Sequence, residues 1–456
     1  MTNDIPVIKL FFINDLYYVY DTYNNRVLKI NKEQYKELDC LSREGISNYI
    51  NNHGDTPASK DILQLMEKGY FRGQWIKEII NPETPFVHDI IKRGLSKLTL
   101  QVTQDCNFSC RYCLFTKDNN VKRTHKKINM SWDTAKKSID FLWDHCKDVP
   151  EVNIAFYGGE PLLNYPLIKN VIDYSTKKFE VKKVKFNMTT NGSIITDEMI
   201  DYFAKFNVAL TISLDGPQEI QDRHRKFYSN GLNTFDVVWN NVKKIRNRQP
   251  EWYNDHVYFH PVVLPGEIPN KTFDFFQSNS INANKISIVN ANMEGIDYIR
   301  YNDINLQNYV DMNNETKKYL NRNLEEFKKM YRDKSKITEQ WHHNGPCVPG
   351  KNKIFVDVQG DIYPCEQVID VACNSIGNIF DGINENRVKE LMNIGTITEE
   401  QCKNCFAMRY CNICMKKCYN PETQSIDETI KQHYCINTRR GLVTCLKLFV
   451  SQEEEN

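Results

Sequence analysis

The chain has 456 residues, with 59 Lys+Arg against 58 Asp+Glu, so its formal charge is +1. That balance removes the broad basic field expected of a nucleic-acid or anionic-membrane binder, and at a mean hydropathy of -0.57 no run approaches the ~18 apolar residues that span a bilayer. The start, MTNDIPVIKLFF, lacks a basic region followed by a long apolar core and a cleavage site, so the expected location is cytoplasmic.

Residues 1–90 open with VIKLFFI and LYYVYDTY on either side of Asn14-Asp15, a β-hairpin signal, and continue into helical patterns such as KDILQLMEKGYF at 60–71. They predict a small α/β module, joined by NPETPF at 81–86 to the central part of the chain. Over 91–304, strand-like segments at 97–103, 151–157, 183–190, 207–214, 256–264 and 285–290 alternate with helical ones at 132–147 and near 164–177, 196–205 and 233–247. Six β-rich runs spaced by helices imply βαβ units and a parallel sheet closing toward a barrel. A charged, Tyr- and Leu-spaced helix is expected at 305–335, within a connector over 305–345, and 346–456 is Cys-rich with Gly, Pro and Asn turns.

The chain holds 15 cysteines. An odd number in a long chain without an export signal reads as metal or iron-sulfur ligation rather than disulfides. Cys106, Cys110 and Cys113 form C-x3-C-x2-C directly after the first barrel strand, on the rim where barrels concentrate chemistry. One loop with three thiolates would leave one iron of a four-iron cluster open to a small molecule. The bland alternatives are a zinc site or three unligated thiols. Downstream, Tyr157-Gly158-Gly159-Glu160-Pro161 follows the second strand, Thr189-Thr190-Asn191-Gly192 the third, and Ser213-Leu214-Asp215-Gly216-Pro217, then Arg225, the fourth.

In these motifs, taken in this order, the sequence resembles the radical SAM enzymes. The resemblance implies an α/β fold with a partial (β/α)6 TIM-like barrel, a 4Fe-4S cluster on Cys106, Cys110 and Cys113, and S-adenosylmethionine on the open iron. It places Tyr112 beside the adenine, Gly158 and Gly159 at a close backbone approach, Glu160 on the cofactor ammonium, Asn191 in the third-strand motif, and Ser213 and Arg225 toward the ribose and carboxylate.

The C-terminal order Cys347-x12-Gly360-x4-Cys365, then Cys402-x2-Cys405-x5-Cys411-x2-Cys414-x3-Cys418, then Cys435, resembles the SPASM extension of radical SAM proteins, which houses two auxiliary 4Fe-4S clusters. The paired C-x2-C spacings alone would suit a zinc ribbon. By the resemblance, Cys402, Cys405, Cys411 and Cys435 hold the distal cluster, and Cys347, Cys365 and either Cys414 or Cys418 the proximal one. Sulfatase-maturing relatives add a proximal Cys soon after the first, whereas residues 348–358 contain none. Cys373 or the spare thiol completes that cluster, or an iron stays open to a substrate thiolate. Glu366 stands where those maturases carry a basic Asp, and is either a base or a solvated carboxylate.

Other features read blandly. Cys40, Cys146 and Cys445 are expected as core thiols, His342-His343 as loop histidines, and the Lys-rich runs at 122–127 and 177–185 as solvated faces.

The resemblance extends to function. The front module resembles the winged-helix-like leader-recognition element of ribosomal-peptide maturases. It implies a Cys-rich precursor peptide with a leader, and an external donor of flavodoxin or ferredoxin type. The expected reaction is Cys sulfur-to-carbon thioether crosslinking. The alternatives are formylglycine formation of the sulfatase-maturase kind and, from another class, a non-catalytic peptide-binding metalloprotein.

Overall fold

The computed structural model describes residues 4–113, 125–264, 270–290, 324–333, 337–343, 347–368, 372–420 and 422–455. The connector expected at 305–345 therefore lies largely outside the described residues, apart from a helix at 324–332 and the segment 337–343. Part of the first Lys-rich run, 122–124, lies outside them as well.

The front module is a three-stranded antiparallel sheet, β1 (Ile8–Ile13), β2 (Leu16–Asp21) and β3 (Arg26–Ile30), followed by helices α1 (Lys32–Glu44), α2 (Ile46–Asn52) and α3 (Pro57–Glu67). Asn14 and Asp15 take φ of 49° and 59°, so a two-residue turn sets the register Ile13↔Leu16. Asn31 with Gln34 and Thr56 with Ser59 form capping boxes that start α1 and α3. Val19 packs with Leu38, Leu41, Tyr49, Ile62 and Phe71 against the module's own helices. The opposite sheet face, with Phe11, Tyr18 and Tyr20, packs on Leu324, Phe327, Leu442 and Leu446. Both faces are buried, which explains why LYYVYDTY shows no apolar/polar alternation.

Next comes the barrel: β4 (Lys97–Thr103), α4 (Trp132–His145), β5 (Glu151–Gly158), α5 (Tyr165–Lys178), β6 (Lys183–Thr190), α6 (Asp197–Lys205), β7 (Ala209–Ile212), α7 (Phe235–Arg248) and β8 (Val257–Phe259). The strands are parallel and lie side by side in chain order. Leu98, Leu100, Ile154, Phe156, Phe186, Leu210 and Ile212 point outward to one core shared with the helices. The residues between them face inward and include many polar ones: Gln101 pairs with Tyr157, Asn187 with Ala155, and Thr211 with both Thr189 and Tyr258. A closed barrel of this type fills its centre with Val, Ile and Leu, so a polar lining marks a cavity to be occupied.

The sixth expected strand forms only in part. Residues 285–290 supply only the bridge Phe259↔Ile286 and the short pairing of Val262–Val263 with Val289–Asn290. The barrel thus stays partial, and its opposite edge is filled from far along the chain. β9 (Lys353–Val356) pairs parallel with β4 and antiparallel with β10 (Asp361–Tyr363). Helix α8 (Asn270–Ser278) follows β8, and the last helix, α9 (Glu428–Glu455), returns to the front module, where Glu454 meets Lys29 at 2.8 Å and Tyr18 Oη at 3.1 Å.

Cys146 and Cys445 sit in apolar surroundings as expected. Cys40 is only half-buried and bonded to Glu44, so it is not a plain core thiol. The two histidines lie in a loop as expected, but a buried one: His342 and His343 are 5% and 3% exposed and stack with ring centroids 4.2 Å apart.

Candidate active site

At the barrel mouth the cysteine loop is pinned by backbone pairing. Phe108–Cys110 runs antiparallel to Arg225–Phe227, with Cys110 opposite Arg225. The Arg225 guanidinium grips Asp215 through Nε and Nη2, each at 3.0 Å, and its Nη1 lies 4.0 Å from Cys110 Sγ. Tyr112 donates its hydroxyl to Asp215 Oδ2 at 2.5 Å, and the guanidinium sits 5.2 Å from the Tyr112 ring centre. Burial opposes the Arg225 charge, and Asp215, Tyr112 and Cys110 more than offset it. Arg225 is therefore joined to Asp215 and the cysteine loop, and Tyr112 shares the same carboxylate.

Gly158 and Gly159 allow the next motif to lie against that loop. A Cβ on Gly158 would stand 2.1 Å from Thr103 O, and one on Gly159 2.2 Å from Asp105 O. Glu160 is fully buried; Oε1 accepts from Thr190 Oγ1 at 2.7 Å and Leu162 N at 3.0 Å, and Oε2 from Asn191 N at 2.6 Å. Burial pushes its carboxyl up to about 7 against those three donors. Asn191 Nδ2 donates to Asn107 Oδ1 at 2.8 Å, linking the third-strand motif to the cysteine loop. Ser213, half-buried at the end of β7, has its amide held by Thr190 O at 2.9 Å. On the inner face, Gln101 Nε2 and Asn153 Oδ1 are buried without a hydrogen-bond partner among the described residues. Such orphaned atoms fit a cavity built for a polar occupant.

The thiols fall into groups. Burial first, then Glu160, Cys110 and Cys113, raise Cys106, and burial pushes Cys110 up to about 12. Cys402, Cys405, Cys411 and Cys435 lie within one another's electrostatic reach, with burial pushing Cys405 up to about 11 and Cys411 to about 12. Cys414 lies near Cys347, and Cys347 near Cys365. Cys418, buried and pushed up to about 12, lies between Cys414 and Cys435. Cys373 instead neighbours Arg387 and Glu390. Among the described residues no three of these sulfurs come within 4.8 Å of one another, as ligands of a single tetrahedral ion at ~2.3 Å would.

β10 leads straight into Cys365, and Phe355 and Tyr363 pack on Tyr157, tying that thiol to the Gly-Gly-Glu segment. Glu366 is half-buried beside Cys365 and Cys347. Cys347 is exposed and lines a cavity of 510 Å³ together with Lys97, Lys351 and Lys353.

Sequence reasoning missed several of these residues. Asp215 stood inside a recognised motif without a role. His125 Nε2, 3.7 Å from Cys113 Sγ, and the buried Lys431, 3.7 Å from Cys402 Sγ, gave no local signal.

Known proteins resemble the chain in sequence and in fold. Residues 100–276 match the Radical SAM superfamily. The chain is 25% identical to the radical SAM cyclopropyl synthase of Paramaledivibacter caminithermalis over 271 residues, 56% of this chain and 54% of that protein, so it spans about half of that relative's length. It is 23% identical to the cysteine-type anaerobic sulfatase-maturating enzyme of Clostridium perfringens (strain ATCC 13124) over 365 residues, 75% of this chain and 93% of that protein. Its fold is similar to that of native anSMEcpe with bound AdoMet and Cp18Cys peptide, with a TM-score of 0.54 at 18% identity over 79% of this chain and 99% of that one. Residues 100–276 of this chain are a radical SAM domain.

Proposed function

We propose that the chain is a radical SAM peptide maturase that joins Cys sulfur to carbon in a ribosomally made, Cys-rich precursor. The observation that carries this reading is the three-thiol loop clamped by Arg225 and Asp215 at the mouth of a barrel with a polar interior. A radical SAM domain binds S-adenosylmethionine and a 4Fe-4S cluster, which together supply a 5'-deoxyadenosyl radical able to take hydrogen from a substrate carbon.

In this reading Cys106, Cys110 and Cys113 hold the first cluster, and Arg225 and Asp215 fix the loop that carries it. Glu160 accepts from the cofactor ammonium, and the donors from Thr190, Leu162 and Asn191 keep its carboxylate aimed. Tyr112, Gly158, Gly159, Asn191 and Ser213 shape the adenine and ribose side. Gln101 and Asn153 offer unsatisfied amide atoms to a peptide inside the barrel. Cys402, Cys405, Cys411 and Cys435 hold the distal auxiliary cluster; Cys347, Cys365 and Cys414 hold the proximal one, with one iron left for a substrate thiolate. The cavity beside exposed Cys347 supports that access. The edge strand β3, paired only with β2 among the described residues, suits strand addition by a leader.

Anaerobically reconstituted enzyme, given S-adenosylmethionine, a reductant and a Cys-rich precursor, should yield a peptide lighter by two hydrogens with one thiol lost. Deoxyadenosine without that product refutes the proposal. The formylglycine reading draws on the 93% coverage of the Clostridium perfringens maturase, and Glu366→Gln separates the two. Severe loss of turnover favours formylglycine formation, and near-normal turnover favours crosslinking.

A further inference from the structure

The front module holds a cluster of side chains that the radical chemistry does not use. Cys40 and Glu44 lie one turn apart on α1, and His53 follows α2. Cys40 Sγ is 3.0 Å from Glu44 Oε1 and 3.8 Å from His53 Nε2, and His53 Nε2 is 3.1 Å from Glu44 Oε2. All three ligand atoms lie within 4.8 Å of one another. A tetrahedral zinc with bonds of ~2.3 Å to sulfur and ~2.0 Å to nitrogen and oxygen separates its ligand atoms by roughly 3.5 Å. Cys40 Sγ and His53 Nε2 already stand near that spacing, and each has one carboxylate oxygen of Glu44 close by.

A second set of contacts points the same way. The other ring nitrogen of His53, Nδ1, faces Glu37 Oε2 at 3.5 Å, the carboxylate–histidine arrangement that orients an imidazole toward a metal. Glu37 is itself held, by Tyr49 Oη at 2.8 Å and by Thr56 Oγ1 at 3.1 Å. Tyr49 lies flat on the His53 ring, with centroids 4.5 Å apart and planes 9° from parallel. Ring orientation, partner carboxylate and ligand spacing are thus fixed by separate contacts.

We propose that Cys40, Glu44 and His53 form a binding site for one divalent transition metal of the zinc class, with Glu37 orienting His53 and a fourth position open to solvent. Binding replaces the thiol proton: the ion and the Cys40 thiol give a metal–thiolate bond and one proton released to solvent, with no change of oxidation state. In the metal-free form the proton is retained, because Glu44, accepting from the thiol, pushes Cys40 up to about 11. The ion ties the end of α1 to the end of α2, bracing the helices that back the sheet.

The test uses the full, cluster-loaded chain, equilibrated with zinc and desalted anaerobically. Wild type should keep one zinc beyond that of Cys40→Ser, and zinc-edge X-ray absorption should show one sulfur among nitrogen and oxygen neighbours. His53→Gln should lose the same equivalent, and Glu37→Gln should weaken zinc binding about tenfold or more while iron content stays equal. Equal zinc in wild type and both ligand variants, or a zinc shell with several sulfurs in Cys40→Ser and wild type alike, overturns the proposal. The trio is then a hydrogen-bonded surface cluster.

Discussion

Lys431 Nζ stands 3.7 Å from Cys402 Sγ in a region where the lysine is only 1% exposed. Its other partners are neutral, Thr398 Oγ1 at 2.5 Å and Gly395 O at 3.3 Å, and no carboxylate pairs with it among the described residues. Burying an unpaired ammonium costs several kcal/mol. In the proposed reading, a thiolate-ligated cluster on Cys402, Cys405, Cys411 and Cys435 would carry the negative charge that this position lacks. Replacing Lys431 by Met should therefore lower the potential of that cluster, since the cation favours the more negative, reduced form. A charged hydrogen bond of about 1.5–3 kcal/mol corresponds to roughly 60–130 mV. An EPR-monitored redox titration checks it: one signal should shift while the others stay.

The Arg225–Asp215 pair makes a second prediction. Asp215→Asn leaves a buried guanidinium without its counter-charge, which costs about 3–5 kcal/mol. It also loosens the strap opposite Cys110 and leaves a single oxygen for the donors of Tyr112, Arg225 and Val262 that share the two carboxylate oxygens. The variant should unfold at a clearly lower temperature and lose iron from the first cluster. The double replacement Asp215→Leu with Arg225→Met should recover much of the midpoint, because no lone charge remains. With single Asp215→Leu and Arg225→Met closing the double-mutant cycle, additive losses would show that the two residues act independently.

These relationships mark what was legible in the chain. The cysteine loop and the Gly-Gly-Glu segment could be read because each is a local spacing with a local reason: Gly158 and Gly159 must be glycine where a Cβ would meet Thr103 O and Asp105 O. The four central strands were legible from apolar runs bounded by helices. The sixth was legible in part, since KISIVN pairs in parallel with the preceding segment as expected, yet only briefly. The edge of β4 gave no sign of its true neighbour, because Lys97 meets Lys353 across more than half the chain. Lys431 was hidden for the same reason: its role depends on α9 packing against Thr398 and Cys402, which no short motif encodes.

In the proposed reading, Cys418 would decide how the proximal cluster is closed. It is buried beside Cys414 and Cys435, while Cys347, Cys365 and Cys414 form a chain of neighbours without it. If Cys418 is a spare thiol, Cys418→Ser should retain about 12 irons per chain, the content of three 4Fe-4S clusters, with an unchanged spectrum. A loss approaching four irons would make it a ligand, close the proximal site and remove the place for a substrate thiolate. Iron analysis after anaerobic reconstitution separates the outcomes.

His343 gives a pH prediction. It donates Nε2–H to Ile413 O at 2.6 Å, and its Nδ1 is buried with no partner among the described residues. Burial, then His342, lowers its pKa from 6.5 to about 3, with Lys431 acting in the same direction. The native imidazole therefore stays neutral while the unfolded chain takes up a proton below about pH 6.5. Between about pH 6.5 and 3 the unfolded state binds more protons, so stability is fully present above the upper limit and falls as pH falls through the window. The slope from this one group approaches about 1.4 kcal/mol per pH unit. His343→Gln, which keeps a donor for Ile413 O and has no proton to gain, should start less stable at pH 7.5 and lose less on going to pH 5.5. Anaerobic thermal midpoints of both proteins at the two pH values provide the check, and parallel declines would exclude His343 as the acid-sensitive group.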